Sequence, residues 1–338
     1  MAHLDRRTLL AAPLALAAGS RLVPAPAAAT SWPSASEPDR GTTYMVWKGV
    51  DGDEAIWWNH LDGAGPGWTW PQKTGAITSA GTALSLPFRA QTIMLERGYG
   101  DDQQIWFHAF DGSTFGERQA VPGAFTSVGP AATVWGDHTW LAWKGVAGDD
   151  RIWWISRDWP SGNWTGTQVV PNAFTSFGPA LAVRAPGSLQ DWGEVNMVWK
   201  HNTSQQIYWM TFDHRDRKSW NAPTPLSGAF TDAGVALAAP SIGGLVMAWR
   251  NPSDGQIYWS RMLYPARWSA PQGVPGAYTS VGPTLTVRGP HVYMAWKGVP
   301  GDQRIWWNRC DNSSTWTSPD FVPGANTSFR PALTSFGY

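Results

Sequence analysis

The sequence predicts an all-β fold, a six-bladed β-propeller with four antiparallel strands per blade, and three observations carry that prediction. A motif that reads "WKGVDGDEAIWW" from Trp47 returns as "ERGYGDDQQIWF" from Glu96, "WKGVAGDDRIWW" from Trp143, "WKHNTSQQIYW" from Trp199, "WRNPSDGQIYW" from Trp249 and "WKGVPGDQRIWW" from Trp296. Each copy is followed by a second motif: "TGAITSAGTAL", "PGAFTSVGPAA", "PNAFTSFGPAL", "SGAFTDAGVAL", "PGAYTSVGPTL" and "PGANTSFRPAL". Self-similarity at a period of about 50 residues marks a repeat architecture, in which each unit buries its apolar faces against its neighbours. Between the motifs lie short alternating runs broken by Gly, Pro, Asp and Asn, which is the pattern of strands and hairpin turns and has no helical period. Six units of four strands make a propeller, whose radial arrangement leaves few exposed sheet edges.

Each element of the unit has its own signature. The first strand, as in "PALAVRA", carries small residues at alternate positions: Ala83 and Ser85, Ala131 and Thr133, Ala180 and Ala182, Ala236 and Ala238, Thr284 and Thr286, Ala332 and Thr334. Blades converge at the axis, where only small side chains leave room, so this strand is innermost. The second strand ends in the motif's cation, as in "VYMAWKG". The third carries paired aromatics: Trp57 and Trp58, Trp106 and Phe107, Trp153 and Trp154, Tyr208 and Trp209, Tyr258 and Trp259, Trp306 and Trp307. Alternation along a strand sends one of each pair to either face of the blade, and packing is their expected role. The fourth strand, as in "TWTSPDFV", is outermost. The repeat is entered at "TYMVWKG", a second strand, and left at "RPALTSFGY", a first strand. Residues 332 to 336 are therefore expected to pair beside residues 43 to 48, so that the C-terminal strand completes the first blade and closes the ring.

The opening "MAHLDRRTLLAAPLALAAGSRLVPAPAAATS" has Arg6 and Arg7, a short apolar stretch and then Ala27, Ala28 and Ala29. This is the pattern of an export signal with a small-residue cleavage site near Ala29, and the paired arginines resemble a bacterial twin-arginine signal. The expected organisation is a signal over residues 1–29, a linker over 30–42 and the propeller over 43–338, with a secreted, extracellular product. No other segment approaches about 18 consecutive apolar residues, so no transmembrane anchor is expected. Cys310 is the only cysteine, which excludes an internal disulfide and a multi-cysteine metal site. The 7 histidines show no metal-ligand spacing, so neither a metal nor a cofactor is predicted. Formal net charge is zero and charged residues are 15%, without the basic stripe of a nucleic-acid binder. The 25 tryptophans suit repeated packing or repeated stacking on ligands.

Because strands alternate in direction, the turn between strands two and three opens on the same face as the crossing from strand four to the next blade. The two motifs therefore converge at each junction between blades. One position is cationic in all six units: Lys48, Arg97, Lys144, Lys200, Arg250 and Lys297. A turn aspartate recurs in five, as Asp53, Asp102, Asp149, Asp254 and Asp302. The crossing adds an aromatic ring in four copies, Phe125, Phe174, Phe230 and Tyr278, with Ile77 and Asn326 in the others, and hydroxyls such as Ser127, Ser176 and Ser280. Two readings stand side by side. An aspartate in a Gly-rich hairpin bonds its own turn backbone, and a lysine lies over a neighbouring indole. Alternatively, cation, hydroxyl and flat apolar ring together form a carbohydrate-binding site.

With these motifs in view, the chain resembles the six-bladed propeller lectins, both the fungal fucose-binding lectins and the bacterial PLL-type lectins, with tectonin-like character in "VPGAFTSVG". The resemblance implies glycan sites between neighbouring blades, multivalent display, and glycans or glycoconjugates as partners. The fungal fucose sites combine an arginine, a glutamate and aromatic rings, and no glutamate repeats here: Glu37, Glu54, Glu96, Glu117 and Glu194 are scattered. The rival classes are an extracellular glycan-cleaving enzyme, such as a sialidase, and a protein-binding scaffold. An enzyme needs a unique constellation, which would fall on the breaks in the repeat: Glu96, Glu117, Arg118, His201, Asp232, Arg330 and the longer "GSLQDWGE" and "DHRDRK" loops. These breaks form no recognisable arginine triad with a tyrosine nucleophile, so no catalytic residue is assigned.

Overall fold

A computed structural model of the chain describes residues 41–63, 67–85, 92–184, 193–213, 219–240, 244–263, 267–311 and 315–336. The expected signal, most of the linker, and most of the "GSLQDWGE" and "DHRDRK" loops lie outside the described residues. Six antiparallel sheets follow one another as predicted. Blade 2 runs Ala83–Leu84, Thr92–Arg97, Gln104–Phe110 and Gln119–Phe125, and blade 3 runs Ala131–Trp135, His138–Lys144, Arg151–Asp158 and Gln168–Phe174. Blades 4, 5 and 6 begin at Ala180–Arg184, Ala236–Ala238 and Thr284–Arg288 and end at Thr224–Phe230, Gln272–Tyr278 and Asp320–Asn326. In blade 1, Ala332–Phe336 pairs with Thr42–Lys48, followed by Ala55–Asp62 and Gln72–Ile77.

The closing register sets Thr42 opposite Phe336 and Val46 opposite Ala332. It is fixed by side chains as well as backbone. Thr43 and Ser335 share a buried hydroxyl hydrogen bond of 3.0 Å, and the Tyr44 and Phe336 rings meet edge to face at 5.2 Å.

The fourth strand is broken in every blade, which the sequence did not foretell. In blades 4, 5 and 6 the pieces Ser219–Trp220, Arg267–Trp268 and Thr315–Trp316 pair with the far end of the third strand before the main segment begins. In blades 1, 2 and 3 single bridges, Leu61 to Trp68, Phe110 to Phe115 and Arg157 to Trp164, take that place. The main segment then bulges: Arg151 opposes Phe174 while Trp153 opposes Val169. The bulge needs a left-handed residue. Five blades supply glycine, such as Gly123 at φ 66°, and blade 3 supplies Asn172 at φ 55°, the side chain that best tolerates this region.

The apolar cores lie between adjacent blades. At the seam of blades 3 and 4, Trp140 stacks on Trp154 at 5.0 Å, and Phe212 closes on Trp154 at 5.2 Å. The paired aromatics divide as expected: Trp57 packs into the seam with blade 6 and Trp58 into the seam with blade 2. The second-strand tryptophans Trp47, Trp143, Trp199, Trp249 and Trp296 are each 1% exposed. Cys310 lies buried in the seam of blades 5 and 6, where burial pushes its thiol up to about 12, so it is a packed side chain. The small residues of the first strands leave a narrow channel of about 70 Å³ along the axis.

Removing residues 332–338 would strip blade 1 of its inner strand and leave the edge of Thr42–Val46 unpaired. The truncated chain is expected to aggregate or to unfold at a markedly lower temperature, which calorimetry beside the full chain measures. Equal melting would remove closure as a source of stability.

Candidate functional site at the blade junctions

The two motifs meet where the sequence places them. The crossing from one blade lies against the two–three turn of the next, and the cation joins them. Lys144 Nζ donates to Ser127 Oγ at 3.2 Å and to the turn carbonyl of Asp149 at 3.0 Å. Lys297 Nζ donates to Ser280 Oγ at 2.8 Å and to Asp302 O at 3.2 Å. Lys200 donates to Ser176 Oγ and to His201 O, both at 2.9 Å, and Lys48 donates to Asp53 O at 3.2 Å. These four lysines are 3–9% exposed. Burial pushes the Lys200 and Lys297 ammonium groups below the usual lysine range. Arg97 spans the turn and its own blade's exit, donating to Gly100 O and Thr126 O, and Arg250 donates to Thr279 O and pairs with Asp232.

The turn aspartates are equally committed. Asp53, Asp102, Asp149 and Asp302 accept the indole N–H of Trp57, Trp106, Trp153 and Trp306 at 2.8–2.9 Å, and each also accepts the backbone N–H two residues on. Asp149 and Asp302 take a further bond from Arg151 and Arg304, which holds both carboxyls down at about 2. Asp254 has a tyrosine, Tyr258, in the corresponding place and accepts only from Gln256 N, at 2.9 Å.

The indole faces are covered too. Lys73 lies 5.0 Å over Trp57, Arg118 4.0 Å over Trp106, Arg151 4.9 Å over Trp153 and Arg304 4.8 Å over Trp306. Of the residues proposed from sequence, the crossing aromatics Phe125, Phe174, Phe230 and Tyr278 are 41–46% exposed, and Asp254 also faces solvent.

Between blades 4 and 5 a pocket of about 310 Å³ opens among Gln205, Phe230, Trp249, Asn251, Ser253 and Tyr258. Two other junctions are bridged by identifiable contacts. Between blades 2 and 3, Ala147 N donates to Gln103 Oε1 at 3.1 Å across the mouth. Between blades 3 and 4, Asn202 Nδ2 donates to Asp150 Oδ2 at 3.2 Å, and His201 lies on the Tyr208 ring at 5.3 Å. At the open junction Gln205 stands where Asp150 stands one blade earlier, and Pro252 brings no N–H to bridge it. Asn251 replaces His201, leaving the Tyr258 ring uncovered, and Arg250 is drawn aside by Asp232. The Gln205 amide and the Ser253 and Tyr258 hydroxyls make no protein hydrogen bond among the described residues. An apolar floor, two aromatic faces and free amide and hydroxyl groups form a surface that suits a small polyhydroxylated ligand. Gln205, Asn251, Ser253 and Tyr258 escaped the sequence reading. The signal was the coincidence of "IYW" for "IWW" with a turn that lacks the glycine after its cation.

The other breaks in the repeat resolve into local pairs. Glu96, fully buried where other units have tryptophan, accepts from Arg118 Nε at 2.7 Å and faces His108 at 3.6 Å. Asp232 holds Arg250, and Glu117 stands in solvent.

If the junction lysines are fasteners, Lys144→Met should cost on the order of 2 kcal/mol through its orphaned buried partners and lower Tm by several degrees. An unchanged Tm would return Lys144 to the pool of ligand contacts. Asp149 and Asp302 titrate lower when folded than their ordinary 3.8, so their stabilisation is present above about pH 4 and lost as pH falls through 2. The double variant Asp149→Asn, Asp302→Asn should melt below the parent at pH 7, and the gap should close between pH 4 and 2. A gap that is constant with pH would contradict this assignment.

No family profile and no curated protein sequence matches the chain. Solved structures do. The SapL1 lectin, solved with alpha methyl fucoside, is similar with a TM-score of 0.58 at 15% identity, over 83% of this chain and 93% of that one. The six-bladed fucose-recognising lectin of the fungus Aleuria aurantia gives 0.59 at 13% identity, over 88% and 95%. A Hadza microbial sialidase gives 0.51 at 12% identity, over 72% of this chain and 57% of that one. The chain thus shares its six-bladed fold with propeller lectins that take fucose.

Proposed function

We propose that the protein is a carbohydrate-binding protein, a lectin, that is exported and engages glycans at the junctions between its blades. The observation that carries this reading is the open junction between blades 4 and 5. There the exposed Phe230 ring and the uncovered Tyr258 ring flank a pocket of about 310 Å³ edged by Gln205, Asn251 and Ser253. A pyranose presents a C–H face that packs on an aromatic ring and hydroxyls that exchange hydrogen bonds with amides and hydroxyls, and this pocket supplies both. Phe125, Phe174 and Tyr278 offer a ring at three further junctions, so weaker contacts there would add to the main one on a surface dense in glycans. The fold shared with fucose-binding lectins supports the reading and makes fucose the first sugar to test.

A glycan array on the purified protein, followed by calorimetry with the strongest sugar, tests the proposal. Phe230→Ala and Tyr258→Ala should each weaken binding by ~10-fold or more, since an aromatic–ligand contact contributes about 1–3 kcal/mol with its buried area. Tm should hold for Phe230→Ala, because Phe230 is 46% exposed, whereas Tyr258 is half-buried against the core of this seam, so Tyr258→Ala is compared at a temperature well below its own Tm. A multivalent glycoconjugate should outcompete the free sugar by ~100-fold. An array without binding, or a sugar bound equally by both variants, would contradict the assignment.

A further inference from the structure

At the axis, on the face formed by the crossings, the ring encloses a second and larger cavity, of about 380 Å³. Phe177, Phe329, Val128 and Val281 form much of its wall, and Arg330 lines both this cavity and the narrow channel beneath it. Arg330 therefore sits at the neck between them. Its position in the repeat is Gly81, Gly129, Gly178, Gly234 and Gly282 in the other five units. Three of those glycines are held by close backbone approach around the axis: a Cβ on Gly129 would come 2.7 Å from Gly81 O, and one on Gly178 or Gly282 would come closer still to a neighbouring glycine carbonyl. Only the sixth copy sends a side chain into this space. It is a long one, and its NH1 donates to Val235 O at 2.9 Å, reaching the crossing two junctions away against the bare backbone of Gly234.

The other charged departures from the repeat have opposite charges beside them or stand in solvent; Arg330 is only partly exposed and has no carboxylate beside it among the described residues. The one carboxylate on the cavity wall, Asp232, is held by Arg250. Desolvation alone brings the Arg330 guanidinium down to about 10, with no anion to offset it. Two further cations lie behind the aromatic walls, Lys200 over Phe177 at 5.7 Å and Lys48 over Phe329 at 5.3 Å. Lys48 is paired with Glu54 at 3.2 Å and Lys200 lies near Asp232 and Asp150, so among the described residues it is the guanidinium at the base of this largely apolar vestibule that has no carboxylate of its own.

We infer that the axial cavity binds a small organic monocarboxylate, its carboxylate on the Arg330 guanidinium and its apolar body between Phe177 and Phe329. The guanidinium fork matches a carboxylate's two oxygens, and in a water-poor recess the pair is stronger than at the surface. A single cationic fork among apolar walls favours a monoanion with a hydrocarbon body over inorganic phosphate. The cavity's volume falls within the usual range for small-molecule sites. This site is separate from the junction pocket and does not depend on the glycan reading.

Calorimetry with benzoate and hexanoate, against benzamide as the uncharged isostere and inorganic phosphate at matched ionic strength, decides the matter. One of the two carboxylates should bind, benzamide should bind at least ~10-fold more weakly than benzoate, and phosphate should not displace the bound acid. Arg330→Gly restores the residue found in the other five units, so it should fold, melt no lower than the parent, and lose carboxylate binding by ~10-fold or more. If that variant fails to fold, Arg330→Gln makes the same comparison. Failure of both carboxylates to bind, equal binding of benzoate and benzamide, displacement by phosphate, or undiminished binding by the variant would each overturn the assignment.

Discussion

Hydrogen bonds that sew crossing segments onto the second strand of the next blade set the position of much else in this ring. The threonine of the second motif is the needle. Thr78 donates to Arg97 O at 2.6 Å, Thr279 to Lys297 O at 2.7 Å and Thr327 to Lys48 O at 2.7 Å, each reaching from one blade to the next. The serine after it repeats the stitch on the following glycine carbonyl, as Ser127 does on Gly145 and Ser280 on Gly298. The lysine then ties that serine to its own turn. Such bonds contribute about 1 kcal/mol each when made, but leaving a buried ammonium or hydroxyl without them costs more. That asymmetry accounts for a motif that returns six times with so little change in its polar core.

A structural motif repeated this faithfully uses up its own chemistry. Where the repeat is complete, cation, aspartate and indole are satisfied by one another and by backbone, and a second cation covers the indole face. Space for a ligand opens where the repeat loosens. At the junction of blades 4 and 5, tyrosine replaces tryptophan, the aspartate loses its indole partner, and the arginine turns to Asp232. Blade 4 also carries tyrosine for tryptophan, but there His201 lies on the Tyr208 ring and Asn202 bonds Asp150, positions taken by Asn251 and Pro252 in blade 5. At the axis the logic is similar: five units keep glycine at the inner ring, and the sixth position carries the side chain that gives the cavity its charge.

The fold was legible because its determinants are periodic. Small residues at alternate places in "PALAVRA" marked the inner strand, and the start at "TYMVWKG" with the finish at "RPALTSFGY" foretold the closure that Val46 and Ala332 complete. Convergence of the two motifs was legible from strand direction. What could not be read was which atoms remain free. Lys144 meets Ser127 and Asp150, which sequence can suggest, but it also donates to the carbonyl of its own hairpin, Asp149 O, and a backbone partner of that kind is not visible in sequence. Nor is the source of the indole cover periodic: Lys73 and Arg118 come from the edge of the fourth strand, and Arg151 and Arg304 from the start of the third. The pocket at Tyr258 is the place where all these covers are missing together, and a coincidence of absences leaves only a faint trace in sequence.

On the proposed reading, glycans bind where the repeat fails, while the motif's own polar groups hold the blades together. A crystal structure of the protein soaked with the strongest sugar from the array tests it most directly. The account predicts the sugar ring between Phe230 and Tyr258, hydrogen-bonded to Gln205, Asn251 or Ser253, with Lys144 still on Ser127 and Asp149. A sugar seated instead on the turn of blade 3, with Lys144 released from those partners to hold it, would contradict the account.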